Sequence, residues 1–284
     1  MPRAPPACGD VDGDNGRMDD TELDRARAEL AGARRDARAI AAWPAGRIPR
    51  DLAEAYRLQS AVAADLGAVV GWKVAGVTAA QRESLGVPAP IAGPLLAPWM
   101  HDARASAPTL SAAGFIAPKI ECEFAFELAR DLPPRPQRPY TRDEVRAAVA
   151  ALRIAVEIVD SRLPRGLGAL AELTDAFNNG GFVAGPAVVD WHALDLGRVE
   201  IVLTRSHDGK TDEVARGSGK AILDGDPFGT VVLLANAPAD ASRGLVAGTI
   251  VTTGSCTGAP LLPGPGEYRA EFATLGSVAL RFTA

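Results

Sequence analysis

The chain has 284 residues, enough to bury a sizeable core in one large domain. Its net charge of −5 gives no reason to expect nucleic acid or an anionic membrane as partner. Three cysteines, far apart and without a C-x-x-C pair, argue against a disulfide framework.

No apolar run approaches the roughly 18 residues of a membrane span, and the start lacks the basic-then-apolar order of a secretion signal. A cytoplasmic protein is the expectation. The 29 glycines and 22 prolines predict many turns and short strands.

Residues 1–18 are rich in Pro, Gly, Asp and Asn and read as a disordered tail, with Met18 a candidate natural start. Residues 19–67 read as a helical segment. A first helix over 20–42 is capped by Asp20 or Thr21 and keeps Leu23, Ala26, Leu30, Ala33 and Ala37 at helical spacing. Pro44, Gly46 and Pro49 break it, and a second helix covers 51–66. Both are packing helices without assigned chemistry.

Residues 68–284 form the main domain. A short strand over 69–77 sets Lys73 among apolar residues. Its stem either packs while the ammonium reaches solvent, or the amine is partly desolvated, shifted toward neutrality and able to exchange protons. Residues 85–96 read as an irregular, Pro-rich connection.

Over 118–128 the pattern has period two. Ile120, Cys122, Phe124, Phe126 and Leu128 take one face, and Glu121, Glu123, Ala125 and Glu127 the other. The glutamates either line a wet strand face or converge on a small cation. Residues 154–160 read as a strand apolar on both faces, hence buried on both sides, and Glu157 lies within it. A glutamate there must be neutral, paired or bound to metal. Glu121, Glu123 and Glu157 together suit a hard divalent ion, Mg²⁺ or Mn²⁺. Three scattered histidines, His101, His192 and His207, and the three cysteines offer no zinc spacing.

Thr141 and Glu144 have the form of a capping box, starting a helix over 141–152. Asp160 either supports the carboxylate site from behind or, as the simpler expectation, pairs with Arg162. Residues 173–181 are a turn-rich loop. The remainder is strand-dominated: a hairpin around residues 207–210, a helix started by Asp226 and Pro227, and strands over 249–253, 268–272 and 277–282. Residues 253–258 are small enough to let backbone N–H groups approach an anion; a plain connection between strands explains them equally well.

The E-x-E strand, the later V-E-I-V-D-S-R segment and the early G-W-K-V motif, in their order along the chain, resemble the fumarylacetoacetate hydrolase superfamily. The match is to its 2-keto-4-pentenoate hydratase and 4-oxalocrotonate decarboxylase branch, over roughly residues 71–284. The resemblance implies an α+β fold, a mixed twisted β-roll with peripheral helices and the E-x-E strand lining a cavity. It implies a homo-oligomer, a dimer or a multiple of dimers.

By the same resemblance Lys73 is catalytic, and Glu121, Glu123 and Glu157 hold the metal. Asn178 supplies a polar group to the substrate, and Thr253 with Gly254 meets its carboxylate. The implied substrate is a small 2-oxo or 2-hydroxydienoic acid from aromatic-compound catabolism, to which water is added. Two departures qualify this. The hydrolase branches carry a histidine early in the domain, and residues 71–100 have none. The hydratases carry an aspartate where Ile91 aligns, among Pro90, Ala92 and Gly93. Decarboxylation of a 4-oxalocrotonate-type acid is therefore the alternative, followed by acylpyruvate C–C hydrolysis and by a non-catalytic homologue that only binds metal or oxo acid.

Overall fold

The structure, a computed structural model, describes residues 18–237 and 244–284. The expected tail over 1–18 thus lies outside the described residues except for Met18. Met18 is buried, and its backbone amide donates to Glu54 Oε1 at 2.6 Å.

Helices α1 (Asp20–Arg35) and α2 (Leu52–Leu66) start where Asp19 and Asp51 accept from the amides of Glu22 and Glu54. Helix α1 is shorter than the spacing predicts. Ala37 takes a left-handed φ of 47° and the Arg38 amide turns back to Ala33 O, a Schellman ending. The two helices share a small core of Leu30, Ile40, Trp43, Leu58 and Val62 with Leu163 and Ala171 of the main domain.

The main domain is α+β, built on two mixed sheets. Strands β1 (Val69–Ala75), β2 (Ile91–Leu96), β3 (Met100–Asp102), β5 (Lys119–Leu128), β6 (Val149–Val159), β7 (Asn179–Val188) and β10 (Ile250–Ser255) form the larger one. Its order is β2-β1-β10-β5-β6-β7-β3. Strands β4 (Thr109–Ser111), β8 (Glu200–His207), β9 (Lys210–Ser218), β11 (Gly266–Phe272) and β12 (Gly276–Thr283) form the smaller one, in the order β4-β12-β11-β8-β9. Pairing is antiparallel except for β1 with β10, β3 with β7 and β4 with β12.

Among the described residues, four short α-helices punctuate the domain: α3 (Ala79–Leu85), α4 (Arg142–Ala147), α5 (Ala169–Thr174) and α6 (Pro227–Ala235). Helix α3 and strand β2 correct the expected irregular connection. Thr78 and Gln81 cap α3 reciprocally, and every residue of β2 is buried. Helix α4 has its predicted Thr141–Glu144 box but stops at Ala147, because the chain pairs with β5 from Val149 onward. Asp226 caps α6 with Pro227 in its first turn, as expected. The hairpin around residues 207–210 forms as predicted.

Alternation along β5 divides two interiors. Phe124, Phe126 and their same-face neighbours fill the core between the sheets, with Phe124 edge-on to Phe272 at 5.6 Å. Ala125 on the other face joins Leu95, Ala155, Phe182, Ala184 and Ile250 inside the curl of the larger sheet. That inner face is therefore covered, and the wet-face reading of the glutamates does not hold. The curl brings β2 against the turn of residues 176–178. A Cβ on Gly93 would lie 2.3 Å from the Ala176 carbonyl oxygen, so only glycine permits this approach.

No helix among the described residues is long and apolar enough to cross a membrane.

A pair of alanine substitutions tests the closure. Gly93→Ala should lower the melting temperature by several degrees, since backbone must move. Gly32→Ala, where nothing lies within 4 Å of the added Cβ, should raise stability by about 0.5–1 kcal/mol as a helix-interior glycine is removed. Calorimetry showing equal, small effects would contradict the close approach at Gly93.

Candidate active site

Strand register assembles the site. Glu121 on β5 stands directly opposite Glu157 on β6, and Glu123 opposite Ala155. All three carboxylates therefore project from the same inner face, and an oxygen of each lies within 4.8 Å of one from the others. Glu123 and Glu157 are fully buried. Like charges directly opposite one another on a sheet repel, and burial removes the water that would screen them.

The protonation preferences follow. Burial, opposed by Lys73 but reinforced by Glu157, pushes the Glu121 carboxyl up to about 7. Burial, with repulsion from Glu157 and Glu121, holds Glu123 well above the usual carboxylate range. Lys73 on β1 reaches Glu157 Oε1 at 3.2 Å and donates to the Phe177 carbonyl at the same distance. Burial alone would lower the Lys73 amine, but the Glu157, Glu121 and Glu123 carboxylates raise it above its ordinary value. Of the two readings of Lys73, the shift toward neutrality is corrected: the neighbouring carboxylates favour the charged form of the buried amine.

Two carboxylate oxygens, Glu123 Oε1 and Glu157 Oε2, are buried and accept no hydrogen bond. Their partners Glu123 Oε2 and Glu157 Oε1 do, from the Gly254 amide at 3.0 Å and the Asn179 side-chain amide at 3.0 Å. Buried carboxylate oxygens without hydrogen bonds, in an all-oxygen donor set, fit a hard divalent cation. The three glutamates could hold one.

Glu121 and Glu123 open onto a cavity of about 350 Å³, with Glu157 behind them off its wall. Among the described residues, Lys73, Glu121 and Glu123 are the ionisable groups on its wall, which Phe177, Thr253, Gly254 and Ser255 share with Val77, Gln81, Ser84, Leu85 and Ile222.

No protein-family model matches the chain. It is 31% identical over 216 residues to 2-keto-4-pentenoate hydratase of Burkholderia vietnamiensis, covering 76% of this chain and 78% of that protein. It is 31% identical over 275 residues to the enzyme of the same name from Paraburkholderia phymatum, covering 93% and 99%. This chain belongs to the fumarylacetoacetate hydrolase superfamily, in its 2-keto-4-pentenoate hydratase and 4-oxalocrotonate decarboxylase branch.

The fold agrees. The solved structure of 4-oxalocrotonate decarboxylase from Pseudomonas putida G7, complexed with magnesium and adipate, is similar with a TM-score of 0.79 at 23% identity, over 93% of this chain and 98% of that one.

Within this superfamily member the remaining expected residues are placed as follows. Thr253 and Gly254 line the cavity, but the Thr253 hydroxyl donates to Phe124 O at 3.1 Å and the Gly254 amide already serves Glu123. Gly254 takes a φ of +94°, which orients that amide at a step in the β10 register. Asn178 sits beside the cavity rather than on its wall, its Oδ1 buried without a partner. Its neighbour Asn179 makes the contact to Glu157, which sequence reasoning missed; a polar pair ahead of two glycines was the available signal. Ile91 is buried in the core between the sheets.

Asp160 does not pair with Arg162. Its carboxylate accepts the Ile116 and Ala117 amides at 3.0 and 2.8 Å. Arg162 meets Asp175 at 2.8 Å, because the turn of residues 175–178 folds back across the end of β6.

The raised Glu121 carboxyl has a definite sign. A carboxyl raised from about 4.5 to about 7 on folding adds stability below pH 4.5, and that stability is lost as pH rises through 7. A cation on the same oxygens reverses the loss. The melting-temperature gap between Mg²⁺-saturated and chelator-treated protein should therefore widen from pH 5 to pH 8 in scanning calorimetry. A gap independent of pH would contradict the coupling.

Proposed function

We propose that the chain is a divalent-cation-dependent hydro-lyase, adding water to a 2-hydroxy-2,4-dienoate to give a 4-hydroxy-2-oxo acid. The observation that carries the reading is the Lys73 amine 3.2 Å from Glu157 at the edge of a three-carboxylate group. Glu121, Glu123 and Glu157 are the ligands for Mg²⁺ or Mn²⁺. Bound there, the cation supplies Lewis acidity to the substrate's carboxylate and 2-oxygen.

The chain's own groups move the protons. Lys73 Nζ delivers a proton to C5 of the dienol as the 2-hydroxyl proton passes to solvent, leaving a 2-oxo-3-enoate and a neutral amine. That amine takes a proton from the water adding at C4 and passes it to C3, and a solvent proton restores the ammonium. One water is added in total. Lys73 carries both transfers because Ile91, buried and apolar, stands where the hydratases are similar in having an acid. Thr253, Gly254 and Asn178 are assigned to substrate orientation, Thr253 and Gly254 through the carboxylates and backbone they brace.

The uncharged part of the cavity wall favours a substrate with a neutral tail. Val77, Gln81, Ser84, Leu85 and Ile222 offer no cation to meet a second carboxylate, which a 4-oxalocrotonate-type acid carries. Ile91 is the observation that favours the second reading, decarboxylation of such a diacid with loss of CO₂. The enzyme is further proposed to act as a cytoplasmic homo-oligomer.

Purified protein with Mg²⁺ should hydrate 2-hydroxypenta-2,4-dienoate and leave 4-oxalocrotonate and acetylpyruvate unchanged. Release of CO₂ from the diacid would select the second reading, and cleavage of acetylpyruvate would overturn both. Lys73→Ala should lower turnover at least 100-fold, yet bind Mn²⁺ no more weakly in calorimetry, since a competing positive charge is gone. Glu123→Gln should weaken Mn²⁺ binding at least tenfold.

A further inference from the structure

A second charged group lies behind the cavity and belongs to none of the steps above. Arg34, near the end of α1, is buried. Its guanidinium donates to the carbonyls of Asn179 and of Gly180, the latter at 3.1 Å, and lies over the Trp99 ring, 4.4 Å from its centroid. Arg162 converges on the same place, donating to Asn179 O and Asp175 O at 3.1 Å each. Burial, and then repulsion from Arg162, bear against the charge on Arg34, with Asp175, Asp160 and Glu157 in its favour. Two desolvated guanidiniums on one carbonyl oxygen are a costly arrangement for helix packing alone.

What they hold is strained. Ala176, Phe177 and Asn178 are three consecutive non-glycine residues with φ of 51°, 49° and 63°, each disfavoured by its Cβ. Without that left-handed turn the chain could not present the Phe177 carbonyl to Lys73 and, two residues on, the Asn179 amide to Glu157. Gly93 lets the turn sit against β2, and the Asp160 amide donates to Asn178 O at 2.7 Å. The side-chain bonds that hold the residues flanking the turn, Asp175, Asn179 and Gly180, come from the two arginines.

We propose that Arg34, acting with Arg162, is a positioning residue: from the N-terminal helix it clamps the strained turn that sets Lys73 and Glu157 at their working distance. The N-terminal helices thereby become part of the active-site machinery. The inference rests on the hydro-lyase reading for its kinetic consequence and is independent of it for its structural one.

The test compares full-length Arg34→Ala, Arg34→Lys and Arg27→Ala. Arg27 pairs with Asp65 of α2 at 2.8 Å and touches nothing in the turn, so it controls for loss of an α1 ion pair. Hydrogen exchange of the amides of residues 176–182 should quicken at least tenfold in Arg34→Ala, with α2 unchanged. The kcat for the dienoate should fall at least tenfold, with KM within threefold of wild type. Arg34→Lys should lie between, and Ala176→Gly added to Arg34→Ala should recover part of kcat by relieving a left-handed φ. Arg27→Ala should leave turn exchange and kcat as they were.

Turn exchange unchanged in folded Arg34→Ala, or raised equally in Arg27→Ala, would overturn the proposal. Should Arg34→Ala fail to fold, Arg34→Lys decides by the same two readouts. If wild-type protein does not turn over the dienoate, the hydro-lyase reading fails while the exchange measurement still decides the clamp.

Discussion

Three carboxylates, Glu123 and Glu157 fully buried and Glu121 half-buried, each with an oxygen within 4.8 Å of one from the others, are the constraint on which this structure depends. At an effective dielectric near 20, two unit charges about 4 Å apart repel by roughly 4 kcal/mol, and burial of Glu123 and Glu157 limits the screening by water. The single ammonium of Lys73 offsets part of that repulsion. What remains is met by protons, as the raised carboxyls of Glu121 and Glu123 indicate, or by a divalent cation. The fold thus maintains an unfinished electrostatic balance at its centre, and its chemistry is what completes the balance.

The surrounding architecture explains why such a group survives burial. The aromatic core between the sheets lies on the far side of β5, so stability there is decoupled from the acids on its near side. Inside the curl, Leu95, Phe182 and Ile250 close one end with apolar side chains, leaving the carboxylates at the other. Each fixed acid has one oxygen anchored, Glu123 by the Gly254 amide and Glu157 by Asn179 and Lys73. The other oxygen stays free of hydrogen bonds. Orientation and unsatisfied charge are therefore supplied together.

Much of this was legible in the sequence, for local reasons. Alternation along β5 fixed which face carries Glu121 and Glu123, and the apolar run around Glu157 showed that it must be buried. The caps at Thr141 and Asp226 were likewise readable, each being a side chain bonding an amide two or three residues away. The Thr78–Gln81 cap of α3 had the same signature but was obscured by the prolines that follow it.

What could not be read is non-local. The pairing of β1 with β10 joins Gly71 to Ile250, and only the resulting curl brings Lys73 beside Glu157. The lysine's protonation depends on that meeting, so a local reading of its apolar neighbours gave the wrong direction. Arg162 found Asp175 rather than Asp160 through a left-handed turn that no residue type announces. Arg34 looked like any other arginine on a charged helix, because its burial is decided by a loop 145 residues later.

The most direct measurement of the central claim is a crystal soaked in Mn²⁺ and recorded at a wavelength where manganese scatters anomalously. The account predicts one strong anomalous peak about 2.1 Å from oxygens of Glu121, Glu123 and Glu157 together. A peak bound by only one of the three, or lying elsewhere in the protein, would contradict it.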